Sequence, residues 1–285
     1  MDLEFLRALL SPATMGVFGL CIGSFLNVVI HRLPRMLERQ WCADCADVLK
    51  VPLPAASEPD LNLWRPRSRC PQCGHQIRWH ENIPVLSWLR LRGRCSACKT
   101  RISVRYPFIE LLTGVLFAWS AAHFGSQPVL LAWCAFIAVL VALAGIDWDT
   151  TLLPDVLTQP LLWGGLIAAA CGWTLPLAQA VWGAVVGYVS LWSVTRLFKL
   201  ITKKDGMAEG DFKLLAALGA WLGWQMILPV VLGASILGAA VGIAMKLKGT
   251  LREGLYVPFG PFLAGSGIVV MLSGQARVLG WLGWI

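Results

Sequence analysis

Charge is scarce in this chain. Asp, Glu, Lys and Arg together make up only 14% of its 285 residues, against roughly 25% in a soluble domain, which excludes an ordinary water-soluble globule. Histidine is rarer still. His31, His75, His80 and His123 are the full set, and none stands in a local signature that would activate a catalytic thiol. No glycine-rich turn of the dinucleotide-binding type is present, and no internal repeat is visible. The start, Met1-Asp-Leu-Glu-Phe, has no basic n-region, and no small-residue cleavage site closes the first apolar run. That run is therefore expected to stay as a helix and not to be removed as a signal peptide.

Apolar side chains fill the space. They account for 57% of residues, with a mean hydropathy of +0.65, as expected of an all-α polytopic membrane protein. Apolar runs begin near residues 15, 107, 129, 157, 177, 214, 230 and 259. They predict about eight transmembrane helices, several of them shorter than the roughly 20 residues a straight crossing needs. The first is expected over 15–30, stopped by His31-Arg32-Leu-Pro34-Arg35. Residues 1–30 then form the first transmembrane helix, 31–105 a cytoplasmic Cys-rich loop, and 106–285 the membrane core.

The net charge of +8 could suggest nucleic acid, but its distribution argues against that partner. Fourteen of the 24 Lys and Arg lie between Arg32 and Arg105, five at 196–213 and three at 246–252. Clusters between apolar runs are the positive-inside pattern, so the basic balance reports topology in a lipid bilayer. With the loop after the first span inside, alternate connections (31–106, 146–156, 198–213 and 246–258) return to the same side. The links near 124–128, 172–176 and 224–229 contain no Lys or Arg. One assignment thus gathers every major basic cluster in the cytoplasm, and it puts Asp147 and Asp211 on one membrane face.

Cys70-Pro-Gln-Cys73-Gly and Cys95-Ser-Ala-Cys98-Lys are two CxxC turns with 21 residues between them. Four thiolates presented by two such turns suit a structural Zn²⁺, and a reducing cytoplasm disfavours a disulfide. Cys42-Ala-Asp-Cys45 is a third pair that could replace one turn or bind nothing. Cys21, Cys134 and Cys171 fall in apolar runs and read as small, buried, inert side chains.

Acids beside membrane segments are costly to desolvate and mark functional sites. Asp147 ends one apolar run and Asp211 opens another. Asp155, after Pro154, reads as a helix cap, Asp149 as solvated, and Glu110 as the partner of a nearby Arg. Asp147 and Asp211 are left as a pair. Two apposed carboxylates can share one proton, one acting as base toward water and the other as acid toward a scissile amide. From the helix ends, Asp211 is expected to be the base and Asp147 to carry the proton.

Further stretches complete a pattern: Gly23-Ser-Phe-Leu-Asn-Val-Val-Ile-His-Arg-Leu-Pro34, Glu81-Asn-Ile-Pro-Val-Leu-Ser-Trp-Leu, Arg101-Ile-Ser-Val-Arg-Tyr-Pro, Leu153-Pro-Asp155 and Pro258-Phe-Gly-Pro-Phe-Leu-Ala264. In this order, together with the two Cys turns and Ile146-Asp147, they resemble the type IV prepilin peptidases over nearly the whole chain. One departure is Ala208 in Gly206-Met-Ala-Glu-Gly-Asp211, where the family has Gly. The resemblance implies a multi-pass bacterial inner-membrane aspartic peptidase whose catalytic pair maps onto Asp147 and Asp211. It would cleave the basic leader of type IV prepilins and pseudopilins after a glycine, at the cytoplasmic face. It further implies N-methylation of the new N-terminal residue, usually phenylalanine, with S-adenosylmethionine. Glu81, Asn82 and Gly93 are the candidates for that step, although a turn before Cys95 also explains Gly93. The rival from another class is a polytopic transporter with the two aspartates as ion or proton ligands. Such acids more often lie near the midplane, whereas these lie at span ends.

Overall fold

The computed structural model describes residues 7–52, 61–125, 127–203, 207–249 and 257–284. Lys204, Gly206, Arg252 and the start of the chain (1–6), on which parts of the sequence reading rested, lie outside the described residues. The helices are α1 (Pro12–Leu49), α2 (Leu86–Arg90), α3 (Arg105–Phe124), α4 (Pro128–Thr150), α5 (Asp155–Ala170), α6 (Leu177–Thr202), α7 (Glu209–Leu222), α8 (Ile227–Leu247), α9 (Gly260–Ser273) and α10 (Gln275–Trp281). Short 3-10 turns add Trp79–Glu81 and Trp224–Met226. No strand forms among the described residues beyond two isolated antiparallel bridges. The all-α expectation holds.

The expected count of eight spans is not confirmed. Among the described residues, five helices are long and apolar enough to cross a membrane: α1, α3, α4, α6, and α8 with the turn before it. A sixth exists only if α9 and α10, bent by 104°, count as one broken span. The runs near 157 and 214 are apolar but become α5 and α7, of 16 and 14 residues. At 1.5 Å per residue, these reach about 24 and 21 Å, short of a hydrocarbon core about 30 Å thick. Hydropathy reports burial and cannot tell lipid from protein as the apolar surround.

Two compact units divide the chain, Met1–Ala142 and Leu143–Ile285, with the boundary inside α4. In the first, α1 packs along α3. Ser11 caps α1, and Pro12 occupies its first turn, where a missing N–H costs nothing. Met15, Gly19, Gly23, Leu26, Ile30 and Pro34 form its buried stripe. A Cβ on Gly19 would lie 2.8 Å from the Thr113 carbonyl oxygen, and one on Gly23 would lie 2.7 Å from Glu110 Cα. The two backbones touch, which is how small residues hold membrane helices together.

The first helix does not stop at His31–Pro34 as expected. It runs through Pro34 to Leu49 and ends on Lys50 at φ 53°. Residues 35–49 contain neither Gly nor Pro, so local propensity carries the helix beyond the apolar run. The first part of the expected 31–105 loop is therefore helix. Cys42 and Cys45 ride on that helix, exposed.

In the second unit α7 is the centre. From Asp211 to Leu222 every residue but Lys213 is buried, and α5, α6, α8 and α9 all pack on it. A helix apolar all round must be enclosed. The approach to α6 is the closest. Gly183 and Gly219 face each other so tightly that a Cβ on either would overlap the other's carbonyl.

Candidate active site

Both candidate aspartates belong to the second unit. Asp147 sits in the last turn of α4 and Asp211 in the first turn of α7, with relative exposures of 5% and 6%. They are near enough to interact electrostatically. Among the described residues neither forms an ion pair with Lys or Arg. Two buried carboxylates without a cation are expensive to keep, so a structural role alone does not account for them.

Their surroundings explain the glycines nearby. The Gly260 N–H, at the start of α9, donates to Asp147 Oδ2 at 2.9 Å. A Cβ on Gly260 would stand 2.5 Å from that oxygen and 3.1 Å from Leu153 Cδ2. One on Gly210 would stand 2.7 Å from Leu153 Cβ. Leu153 is thus wedged against the glycine beside Asp211 and the glycine that holds Asp147. Gly260 and Leu153 lie in motifs visible in the sequence, but their contacts with the acids are non-local and carry no local signal. The Gly260 bond also bears on the division of labour. Asp147, although at the end of its own helix, meets the N-terminus of another, so helix ends no longer distinguish it from Asp211.

The other acids have different partners from those expected. Asp155 does not cap α5, whose cap residue is Pro154 without a side-chain bond. It is instead held through both oxygens by Lys213 Nζ at 2.8 Å. The partner shown for Glu110 is the Val85 N–H, at 2.7 Å, where a side-chain cation was expected. Asp149 is exposed. Of the cysteines expected to be buried, only Cys134 is; Cys21 and Cys171 are exposed.

In the first unit, Cys70, Cys73, Cys95 and Cys98 come together with their four Sγ atoms within 4.8 Å of one another. Cys70 and Cys98 Sγ are 3.7 Å apart. A tetrahedron of sulfurs bonded at about 2.3 Å has edges of about 3.8 Å, so the four thiols fit a structural metal ion. The two turns are built alike. Gly74 and Lys99 donate their N–H to the Cys70 and Cys95 carbonyls, both at positive φ (68° and 60°). Bridges pair Arg69 with Gln76 and Arg94 with Arg101. This is a local repeat that sequence inspection missed, although Arg67, Arg69 and Ile77 of one turn match Arg92, Arg94 and Ile102 of the other besides the cysteines. Hydrogen bonding with Thr100, through its hydroxyl and then its N–H, pulls the Cys98 thiol down to about 6. Cys42 and Cys45 stand outside the cluster.

Glu81, Asn82 and Gly93 lie beside this centre. Glu81 Oε2 accepts the Arg78 N–H at 2.9 Å and lies 3.2 Å from His75 Nε2. Those bonds, the Arg78 N–H first, then Ser96 and His75, hold its carboxyl down at about 2. Asn82 is exposed. Gly93 has φ +65°, and a Cβ there would meet the Trp88 ring at 2.8 Å; these two facts alone require glycine.

Gly260→Ala, whose Cβ would press on Asp147 Oδ2, should disable the pair while leaving both acids in the sequence. Displacement of a reacting group by about 1 Å can cost about 10²-fold in rate. Activity measurements on Gly260→Ala beside Gly265→Ala, where a Cβ meets open space, will show whether the effect is specific to the site.

Comparison with known proteins agrees with this layout. The model for the bacterial peptidase A24 N-terminal domain matches residues 17–124, and that for the type IV leader peptidase family matches 134–243. A prepilin leader peptidase/N-methyltransferase of Stutzerimonas stutzeri is 50% identical over 271 residues, 93% of this chain and 92% of the relative. One from Aeromonas hydrophila is 51% identical over 260 residues, covering 91% and 90%. One from Pseudomonas aeruginosa is 49% identical over 264 residues, covering 91% and 89%. No solved structure matches the chain significantly. With both halves matched and relatives at about half identity over nine-tenths of the chain, the chain belongs to the type IV leader peptidase family.

Proposed function

We propose that the protein is a bifunctional membrane enzyme. It cleaves the basic leader of type IV prepilins and pseudopilins after a glycine, using Asp147 and Asp211. It then N-methylates the exposed N-terminal residue, usually phenylalanine, with S-adenosylmethionine. The observation that carries the peptidase half is the pair of buried, interacting carboxylates with no cationic partner among the described residues. In this reading one carboxylate takes a proton from the attacking water while the other delivers a proton to the amide nitrogen as the C–N bond breaks. Asp147 Oδ2 already accepts the Gly260 N–H, which leaves Oδ1 for the shared proton. The site faces the cytoplasm of a bacterial inner-membrane protein. A basic leader is held back on that side, while the apolar start of the mature pilin stays in the bilayer.

Methylation is assigned to the segment after α1, with Glu81, Asn82 and Gly93 as its candidate residues and the four-cysteine centre holding Zn²⁺. S-adenosylmethionine, when bound, supplies an electrophilic methyl group. The protein's task is to hold the α-amine, whose ordinary pKa of about 7.7–8.0 already leaves a reactive neutral fraction near neutral pH, in line with it. The test is the mass of a purified prepilin after incubation with the protein and S-adenosylmethionine. The expected product has lost its leader and gained one methyl group. An uncut substrate would overturn the peptidase reading, and a cut but unmethylated product would overturn the second activity.

A further inference from the structure

We propose that Glu110 is a positioning residue for methyl transfer, docking the segment from Val85 to Gly93 onto the membrane helices α1 and α3. The inference rests on the assignment of methylation to that segment and is independent of the aspartate pair, which belongs to the other unit.

Glu110 lies in the second turn of α3 and is 8% exposed. Ionisable groups inside a membrane helix are costly and are kept for a purpose. Its partners show what the purpose is. Glu110 Oε2 accepts the Val85 N–H at 2.7 Å, and α1 lies directly against it, a Cβ on Gly23 standing 2.7 Å from Glu110 Cα. Val85, the residue before α2, stands at φ +59°, ψ −50°. A β-branched residue avoids that region unless its surroundings hold it there. The bond to Glu110 is such a hold.

The path from Val85 to Gly93 is rigid. Leu89 N–H donates to the Val85 carbonyl, Gly93 N–H to Trp88, and Ile102 N–H to Gly93, while the Trp88 ring closes over Gly93. A shift at Val85 is therefore carried through α2 to the turn before Cys95. A second buried charge acts in the same way. Arg32 of α1, 9% exposed, donates to the Asn62 and Pro66 carbonyls at 2.9 and 2.7 Å. Each membrane helix thus commits one buried ionic side chain to backbone groups of the Cys-rich segment. Such bonds recognise no particular side chain, so they set where the segment sits and not what it binds.

The test uses the full-length protein with prepilin and S-adenosylmethionine, comparing Glu110→Ala with Glu110→Gln. Glu110→Ala should cleave leader at close to the unsubstituted rate yet methylate about 10²-fold more slowly, the cost of a small misplacement. Glu110→Gln, whose amide oxygen can still accept the Val85 N–H, should methylate nearly as well as the unsubstituted protein. Amide exchange over 85–91 should quicken in the Ala variant only. Normal methylation with quickened exchange overturns the proposal, as does unchanged exchange in Glu110→Ala. A parallel fall in both activities, or a Gln variant that fails while its amides stay protected, also overturns it. If Glu110→Ala does not fold, Glu110→Asp, with its shorter reach, takes its place under the same criteria. An unsubstituted protein that cleaves but never methylates would count against the functional assignment instead, and exchange would still decide whether Glu110 docks the segment.

Discussion

Asp147→Asn and Asp211→Asn should each lower leader cleavage by about 10²–10⁴-fold, the usual contribution of a positioned acid or base. The substitution keeps size and shape. The amide introduced by Asp147→Asn retains an oxygen that can accept the Gly260 N–H, so the local fold should persist. What is lost is the ability to take up and release a proton. If the two carboxylates share one proton, removing either removes the whole function, because groups that act as a unit are grossly non-additive. The double variant should then be no worse than either single one. Rates of leader release, with thermal unfolding as a check on folding, decide the matter. Substantial cleavage by either single variant, or a double variant whose losses multiply, would sink the shared-proton assignment.

The second large effect concerns metal. Cys70→Ser and Cys95→Ser should each release bound zinc, whereas Cys42→Ser and Cys45→Ser should keep it. The reason lies in how little else holds this region. Between residues 61 and 104 only Gly93 and Cys95 are buried, and large side chains such as Trp64 and Trp79 are 77% and 82% exposed. A segment with so small an apolar core needs a staple, and a structural zinc site contributes roughly 10–16 kcal/mol of apparent binding energy. Metal loss should accordingly quicken amide exchange over the two Cys turns and stop methylation. Cleavage, assigned to residues of the other unit, should continue. Metal analysis of the four purified variants checks this. Full zinc in both Cys70→Ser and Cys95→Ser would remove the four-cysteine assignment.

Much of this was readable from the chain alone. Low charge and high hydropathy determined an all-helical membrane protein, since only internally hydrogen-bonded backbones tolerate lipid. The CxxC spacing singled out the four cysteines that meet, because two tight turns pre-arrange their ligands locally. Asp147 and Asp211 stood out as acids at the edges of apolar runs. Tertiary structure decided the rest. Hydropathy could not tell that α7 is enclosed by protein and that α5 is too short for a straight crossing, since lipid and protein surroundings are both apolar, and so the expected count of eight spans is not confirmed. Pro34 looked like a stop, but the helix continues because the residues beyond it favour helix. Asp155 meets Lys213, Glu110 meets Val85, and Gly260 meets Asp147 across 58, 25 and 113 residues of chain. No local pattern encodes a contact at such a distance; it exists only once the helices have packed.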